Sequence, residues 1–261
     1  MLDAKTLKIL ADRVLHAQDT ATTMAKLTDE FPDLSISDGY DVQDELTRRW
    51  VARGDRQVGV KAGLTSKAKM DQMGVHLPGF GVLMASHARP ENGVIAIDEL
   101  IHPRIEAEIA FVMNAELGGD DVTLEQVIAA TDYVIPAVEV IDSRFEKFKF
   151  DLPSVIADNC STARYVTGGR PLDPRGLDLR TLGVVIEVNG EIQALGASAA
   201  VLGHPAEAIR LLLRHLAARG QTLKAGSFVM TGGITEAIPV ARGDNVLARF
   251  QDMGSVSFRM G

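Results

Sequence analysis

The chain has 261 residues, of which 46% are hydrophobic, and its 35 acidic and 27 basic residues give a formal net charge of -8. This length and apolar content allow one large domain with a small appendage and a substantial core. The negative charge argues against a surface that follows nucleic-acid phosphates, so we expect no nucleic-acid partner.

Cysteine content and hydropathy predict a protein of a reducing compartment, most simply the cytoplasm. Cys160 is the only cysteine, so it has no partner for an internal disulfide. The segment that starts the sequence mixes charges at helical spacing and contains no apolar signal core. No stretch approaches the about 20 apolar residues that a membrane helix needs, so we expect no membrane association.

The first part of the chain predicts a small helical unit. Apolar residues recur at helical spacing from Leu7 to Leu15, and again from Val42 to Trp50 after a candidate N-cap at Ser37. A charged, glycine-containing stretch then follows, and the pattern changes to short apolar runs. We expect an N-terminal helical unit over residues 1–55 and a catalytic domain over residues 56–261.

The rest of the chain predicts many short strands and few helices. Asn189-Gly190 between two apolar runs is a type I′ hairpin signal, and Gly220 is placed to end an amphipathic helix. Because strands outnumber helices, we expect an α+β fold around a large mixed β-sheet rather than regular βαβ repeats. Strands are predicted at 57–62, 93–97, 104–112, 133–141, 162–167, 183–188, 191–196, 227–231, 245–250 and 254–259, and helices at 123–131 and 205–219.

Two glutamates interrupt a strand-like apolar run at residues 102–112, which read HPRIEAEIAFV. Glu106 and Glu108 are two positions apart, so in a strand both side chains leave on one face, with Cβ atoms about 7 Å apart. Two anions that share a face repel each other. This face is therefore either open to water or it holds a positive charge between the carboxylates.

A third glutamate lies in another apolar run, YVIPAVEVID. A carboxylate buried there is costly unless it is paired or binds a cation. One interpretation is a salt bridge from Glu139 to Arg104 or Arg144. The other is that Glu139 joins Glu106 and Glu108 as a third oxygen ligand of a divalent metal, for which such a ligand set favours Mg²⁺ or Mn²⁺ over zinc.

Further candidates come from glycine-rich strand ends. Lys61, in VGVKAGLTSKAKM, either reaches water as a strand-end lysine or serves as a cation that holds a substrate anion or transfers a proton. The stretches VIADNCSTARYVTGG and FVMTGGI allow close backbone approach to a ligand, although they are also common in plain turns. Within them Ser161 and Thr231 are candidate substrate-binding residues, and Cys160 is interpreted as a small buried side chain rather than a nucleophile.

Four stretches, in the same order over nearly the whole chain, resemble the fumarylacetoacetate hydrolase superfamily. The resemblance falls in its branch of hydratases and decarboxylases, and DSRFEKFKFDL and STARYVTGG are more similar to the decarboxylases. It implies a mixed β-roll fold, a Mg²⁺ or Mn²⁺ at Glu106, Glu108 and Glu139, and an active-site lysine at Lys61. The four stretches are VGVKAGLTSKAKMDQMGV, HPRIEAEIAFV, PAVEVIDSRFEKFKFDLPSVIADN and MTGGI.

The resemblance also implies a reaction. It is the decarboxylation of 2-oxohex-3-enedioate to 2-hydroxypenta-2,4-dienoate in meta-cleavage catabolism of aromatic compounds. Because desolvation favours loss of a carboxylate as neutral CO₂, this reaction needs an apolar pocket at the distal end, and Val140, Phe145 and Phe148 are candidates to line it. A hydratase acting on the same dienol is the alternative, with Asp142 as candidate general base, and a non-catalytic structural subunit is the second alternative. A homo-oligomer and a complex with the next hydratase are further implied.

Overall fold

The computed structural model describes residues 2–66, 70 and 78–261. Part of the motif around Lys61, residues 67–69 and 71–75, lies outside them. The helices in the described part are α1 (Ala4–Thr20), α2 (Leu27–Glu30), α3 (Ile36–Ala52), α4 (Leu124–Ala129), α5 (Leu152–Ala157) and α6 (Pro205–Ala218). The strands are β1 (Gln57–Gly63), β2 (Gly79–Met84), β3 (Ala88–Arg89), β4 (Val94–Ile95), β5 (Arg104–Met113), β6 (Thr131–Ile141), β7 (Thr162–Thr167), β8 (Gly183–Val188), β9 (Glu191–Ala197), β10 (Phe228–Met230), β11 (Ile238–Pro239), β12 (Asn245–Phe250) and β13 (Gly254–Met260).

The N-terminal helices pack against the rest of the chain rather than standing apart. The N-cap of helix α3 is Ser35, two residues before the predicted cap at Ser37. Ser35 and Asp38 form a capping box in which each side chain accepts a hydrogen bond from the other's backbone N–H. Its buried face shares one apolar cluster with Met84 of β2 and with Phe145. The helical unit is thus joined to the sheet-bearing part by a common core.

Two sheets build the remainder, and they confirm the predicted α+β class with a large mixed sheet. The larger sheet has the order β2-β1-β10-β5-β6-β7-β3, with β11 beside β5. Its β1–β10 and β3–β7 pairs are parallel and the other pairs are antiparallel. The smaller sheet has the order β4-β13-β12-β8-β9. The long β5–β6 pair at the centre of the larger sheet positions the glutamates discussed below.

Each predicted strand and helix has an observed counterpart. Asn189 and Gly190 both have positive φ, 56° and 83°, and they join the antiparallel strands β8 and β9 as the hairpin signal requires. Gly220, with φ of 67°, follows the end of α6. Within the described residues, none of the helices is both long and apolar enough to cross a membrane.

Two elements near the site were not predicted, β2 and α5. In β2, Gly81 lies against the turn at Asn159, whose carbonyl oxygen would come within 2.8 Å of an added Cβ atom, so a glycine here permits the close approach. Helix α5 spans 6 residues and is capped by Asp151, whose side chain accepts the N–H of Ser154. Such a short helix gives no helical repeat in the sequence.

Candidate metal centre and adjoining cavity

The register of β5 on β6 brings the three predicted glutamates together. Glu106 lies directly opposite Glu139, and Glu108 lies two residues further along the same face of β5. Glu106 is 6% exposed and the other two are fully buried. One carboxylate oxygen from each lies within 4.8 Å of the others, which is the convergence that a shared cation requires.

The chemistry of these oxygens fits a hard divalent cation. Glu108 accepts the backbone N–H of Gly232 at 2.7 Å through Oε2, but its Oε1 has no hydrogen-bond partner among the described residues, and neither does Oε1 of Glu139. Buried carboxylate oxygens without partners are costly. A Cβ atom at Gly233 would stand 2.9 Å from Oε2 of Glu106, so the glycine keeps this side of the cluster clear. An all-oxygen donor set of this kind is typical of Mg²⁺ and Mn²⁺ sites.

The same burial perturbs the glutamates electrostatically. Burial, reinforced by the charge of Glu139, raises the pKa of Glu108 well above its usual value, and burial also raises the pKa of Glu139. Without a cation, the cluster therefore favours keeping a proton. A divalent cation and a proton compete for this site, because the ligating carboxylates must be ionised.

Lys61 is part of the same cluster. Its Nζ donates to Oε2 of Glu139 at 3.2 Å, and the residue is only 2% exposed, so the interpretation of a strand-end lysine reaching water is wrong. Burial by itself lowers the pKa of Lys61, but the nearby anions, Glu139 foremost, outweigh burial and raise it, so the ammonium group stays charged. Arg144, one alternative partner for Glu139, instead forms an ion pair with Asp158.

A cavity of about 360 Å³ opens beside Lys61 and Glu106. Its apolar wall includes Ile141, Phe148 and Phe150. Of the three apolar residues expected at the pocket, Phe148 lines the cavity, whereas Phe145 packs against the N-terminal helices and Val140 is part of the main core. A chamber with one charged end and one apolar wall suits a small anion with a hydrocarbon segment.

A left-handed turn presents Ser161 to this cavity. Asn159, Cys160 and Ser161 have φ of 51°, 50° and 60°, an uncommon conformation for three successive residues that carry side chains. The side chain of Asn159 holds the turn on β2, because it accepts the N–H of Val82 at 2.7 Å and donates to the carbonyl of Val82 at 2.9 Å. Oγ of Ser161 is buried without a hydrogen-bond partner in the described chain, so it is available to a ligand. Burial raises the pKa of Cys160 to about 12, which keeps the thiol protonated.

Two other candidate residues lie outside the cavity lining. The hydroxyl of Thr231 donates to the carbonyl of Ile109 at 2.8 Å. The carboxylate of Asp142 accepts the backbone N–H groups of Ile101 at 2.9 Å and His102 at 2.8 Å, and it faces a separate cavity of about 330 Å³. The structure thus brings Lys61 to the glutamate cluster and Ser161 to the adjoining cavity, while the proposed roles of Thr231 and Asp142 stay predictions.

Sequence reasoning also missed contributors to the site. The backbone N–H of Gly232 and the cavity residues Arg104, Lys147 and Phe150 were not assigned to it. The MTGGI motif pointed to the first of these, because glycines after a strand permit close backbone approach. Arg104 is two residues from Glu106 on the same strand face. The two-residue period that places Glu106 and Glu108 on one face therefore also places Arg104 there, and it could have indicated this residue.

The mixed sheet carries three buried carboxylates beside a charged lysine. This arrangement is typical of proteins that hold an oxygen-ligated divalent cation next to a small-molecule cavity. Residues 60–260 match the family described as "Fumarylacetoacetate (FAA) hydrolase C-terminal". The chain belongs to the fumarylacetoacetate hydrolase family, and the fold implied by its sequence motifs is confirmed.

Relatives within this family carry two kinds of name. A 4-oxalocrotonate decarboxylase of Pseudomonas sp. (strain CF600) is 54% identical over 250 residues, which cover 96% of this chain and 95% of the relative. A 2-hydroxyhexa-2,4-dienoate hydratase of Comamonas testosteroni is 36% identical, with 99% of each chain covered. The structure of a 4-oxalocrotonate decarboxylase from Pseudomonas putida G7, complexed with magnesium and adipate, superposes with a TM-score of 0.98 at 52% identity, covering 100% of this chain and 99% of the other.

Proposed function

We propose that the chain is a Mg²⁺- or Mn²⁺-dependent decarboxylase that converts 2-oxohex-3-enedioate to 2-hydroxypenta-2,4-dienoate and CO₂. The observation that carries this proposal is the convergence of Glu106, Glu108 and Glu139 beside Lys61 at the end of a cavity. The 54% identical decarboxylase supports the choice of reaction, since the hydratase reported above is only 36% identical.

The substrate is a vinylogous β-keto acid. When the bond between C5 and C6 breaks, its electron pair forms the C4–C5 double bond, the C3–C4 pair moves to C2–C3, and the C2 carbonyl pair moves to the 2-oxo oxygen. C6 leaves as CO₂, and the dienolate that remains takes up one proton on this oxygen to give the dienol. The barrier therefore depends on stabilising negative charge that grows on the 2-oxo oxygen.

The residues of the cluster divide this work. The three glutamates would hold the divalent cation, which when bound supplies a Lewis acid for the 1-carboxylate and the 2-oxo oxygen. Lys61 brings a second positive charge to the same end of the cavity, where it would offset charge on the enolate oxygen and supply the proton. The buried hydroxyl of Ser161 is free to hydrogen-bond the bound substrate.

The apolar wall acts on the other end of the substrate. Ile141, Phe148 and Phe150 solvate a carboxylate poorly, whereas neutral CO₂ loses little in such surroundings. Hydration by the alternative reaction needs a general base at the terminal double bond. The candidate for this task, Asp142, already accepts two backbone hydrogen bonds in another cavity, which favours decarboxylation.

A paired assay tests the proposed function. Metal-free protein is mixed with 2-oxohex-3-enedioate, and CO₂ release is followed before and after Mg²⁺ or Mn²⁺ is added, then again with a chelator. We expect release that depends on the metal, and little loss of diene absorbance when 2-hydroxypenta-2,4-dienoate is given instead. Metal-dependent loss of the diene without CO₂ release would establish the hydratase, and no turnover of either compound would support the structural-subunit alternative.

We also propose that the chain forms a homo-oligomer and associates with the hydratase that uses its product. The chemical reason for the second association is that the dienol is unstable in water, so transfer within a complex limits its loss. Analytical ultracentrifugation of the chain alone and with the hydratase measures both associations.

A further inference from the structure

Two exposed cationic side chains, Arg104 and Lys147, line the same cavity as Glu106 and Lys61. Along one face of β5, Glu108 is fully buried, Glu106 is 6% exposed and Arg104 is exposed, so the strand runs from the metal centre outward to a guanidinium. Lys147, from the turn at Glu146–Phe148, is exposed and lines the same cavity. The cavity thus has a positive rim above its apolar wall.

Arg104 is held in place without being neutralised. Its guanidinium carbon lies 4.8 Å from the centre of the Phe148 ring, a cation–π arrangement. Among the described residues, no carboxylate is within ion-pair distance of this guanidinium, and none accepts a side-chain hydrogen bond from it. An arginine that is oriented by an aromatic ring and keeps its hydrogen-bond donors free is suited to bind an anion.

Backbone conformation brings Lys147 and Phe148 to this position. Both residues have positive φ, 55° and 60°, which side-chain-bearing residues adopt at a cost. This strained turn places the ammonium group of Lys147 and the ring of Phe148, which contacts Arg104, at the same rim of the cavity.

The spacing matches a dicarboxylate of six carbons. Residues two apart on a strand are about 7 Å apart, and the five bonds that join the two carboxylate carbons of an extended six-carbon chain span about 6 Å. A substrate whose 1-carboxylate and 2-oxo groups chelate a cation held beside Glu106 would extend its other carboxylate toward the level of Arg104.

Charge points to the same ligand. A dianionic substrate would add two negative charges, which Arg104 and Lys147 balance at the rim. A monocarboxylate of the same length leaves this rim unused.

We propose that Arg104, assisted by Lys147, binds the distal carboxylate of the substrate and thereby selects dicarboxylates over monocarboxylates of equal length. This inference rests on the proposed function for the metal-binding end of the substrate. The contact is strongest before the reaction and disappears as the carboxylate becomes neutral CO₂. Arg104 is therefore a substrate-binding residue. Its removal should raise KM, and because the contact is absent from the transition state it should raise kcat as well, which leaves kcat/KM little changed.

Two inhibitors of equal length separate the two ends of the site. 2-Oxoadipate and 2-oxohexanoate share the chelating end and differ in the distal carboxylate, and neither is vinylogous, so neither loses CO₂ by this route. Binding of each to the Mg²⁺-loaded protein is measured by calorimetry for the natural chain and for Arg104→Gln, Arg104→Lys and Lys147→Gln. Lys149→Gln is the matched control, because Lys149 is exposed on the same turn and does not line the cavity.

We expect Arg104→Gln to lower the affinity for 2-oxoadipate about tenfold or more, which is the usual effect of losing a hydrogen bond to a charged group. Binding of 2-oxohexanoate by Arg104→Gln should stay unchanged, and Arg104→Lys should lose less affinity for 2-oxoadipate. The KM of Arg104→Gln for 2-oxohex-3-enedioate should rise without a fall in kcat. Equal affinity of the natural chain for both inhibitors, or equal weakening of both in Arg104→Gln, overturns the inference and leaves the proposed function standing. Failure of the natural chain to bind either inhibitor overturns the proposed function itself.

Discussion

Replacing Glu108 with glutamine is expected to cut Mg²⁺ affinity by about 100-fold or more, and turnover at low metal concentration with it. The amide keeps the shape of the side chain but removes one of the three charges that attract a hard cation. Changes to groups that merely support a metal ligand already cost about 10- to 100-fold in affinity, and Glu108 is itself a proposed ligand. Excess Mg²⁺ should restore turnover only in part. Calorimetric Mg²⁺ titration and kcat on one preparation measure both effects.

The stability of the metal-free protein gives an independent readout of the same variant. The pKa of Glu108 is raised by burial and by Glu139, so ionisation of this group opposes folding as the pH rises through its folded-state pKa. Glutamine resembles the protonated carboxyl group and carries no charge. We therefore expect Glu108→Gln to melt at a higher temperature than the natural chain at neutral pH without metal, and to gain less on addition of Mg²⁺.

A glutamate outside the site provides the control for both measurements. Glu191 is exposed on β9, and Glu191→Gln makes the same chemical change away from the cluster. It should leave Mg²⁺ affinity, metal-free melting and turnover as they are. Normal turnover by Glu108→Gln without added metal would mean that the three glutamates are not a metal site.

Strand periodicity is the sequence feature that made part of the site predictable. Glu106 and Glu108 share a face because they are two residues apart, and Glu139 is conspicuous because its neighbours in the strand are apolar. That Glu139 faces Glu106 depends on the register of β5 against β6, which local pattern does not specify. The sequence therefore singled out the three glutamates, and the structure shows that they converge.

Features that depend on contacts between distant segments of the chain were harder to predict from the sequence. Lys61 and Glu139 are 78 positions apart, and pattern alone left the lysine equally consistent with a solvent-facing strand end. The left-handed turn at Asn159–Ser161 contains no glycine, and only its first residue, Asn159, is of a type that favours this conformation. Asp142, the candidate general base of the hydratase alternative, accepts two backbone N–H groups beside a separate cavity, and its role stays a prediction.

Lys61→Met is expected to lower kcat by on the order of 100-fold, equivalent to about 3 kcal/mol, which is typical of losing one charged contact that stabilises a transition state. Methionine keeps most of the apolar stem and removes the ammonium group that faces the growing enolate charge. Mg²⁺ affinity should fall much less than kcat, or even rise, because Lys61 repels the cation while it pairs with Glu139.

The Lys61→Met variant needs a second measurement, because loss of a purely structural lysine would also affect the protein. Removing Lys61 leaves Oε2 of Glu139 without its 3.2 Å partner in a fully buried place, so some loss of stability is expected under either role. A structural role predicts a lower melting temperature with kcat per folded molecule unchanged, whereas a catalytic role predicts that kcat stays low even after bound Mg²⁺ has restored the melting temperature. Lys149→Met, the same substitution at an exposed site, sets the baseline for both quantities. A normal kcat in a less stable Lys61→Met protein would remove Lys61 from the chemistry and leave the stabilisation of the enolate to the bound cation.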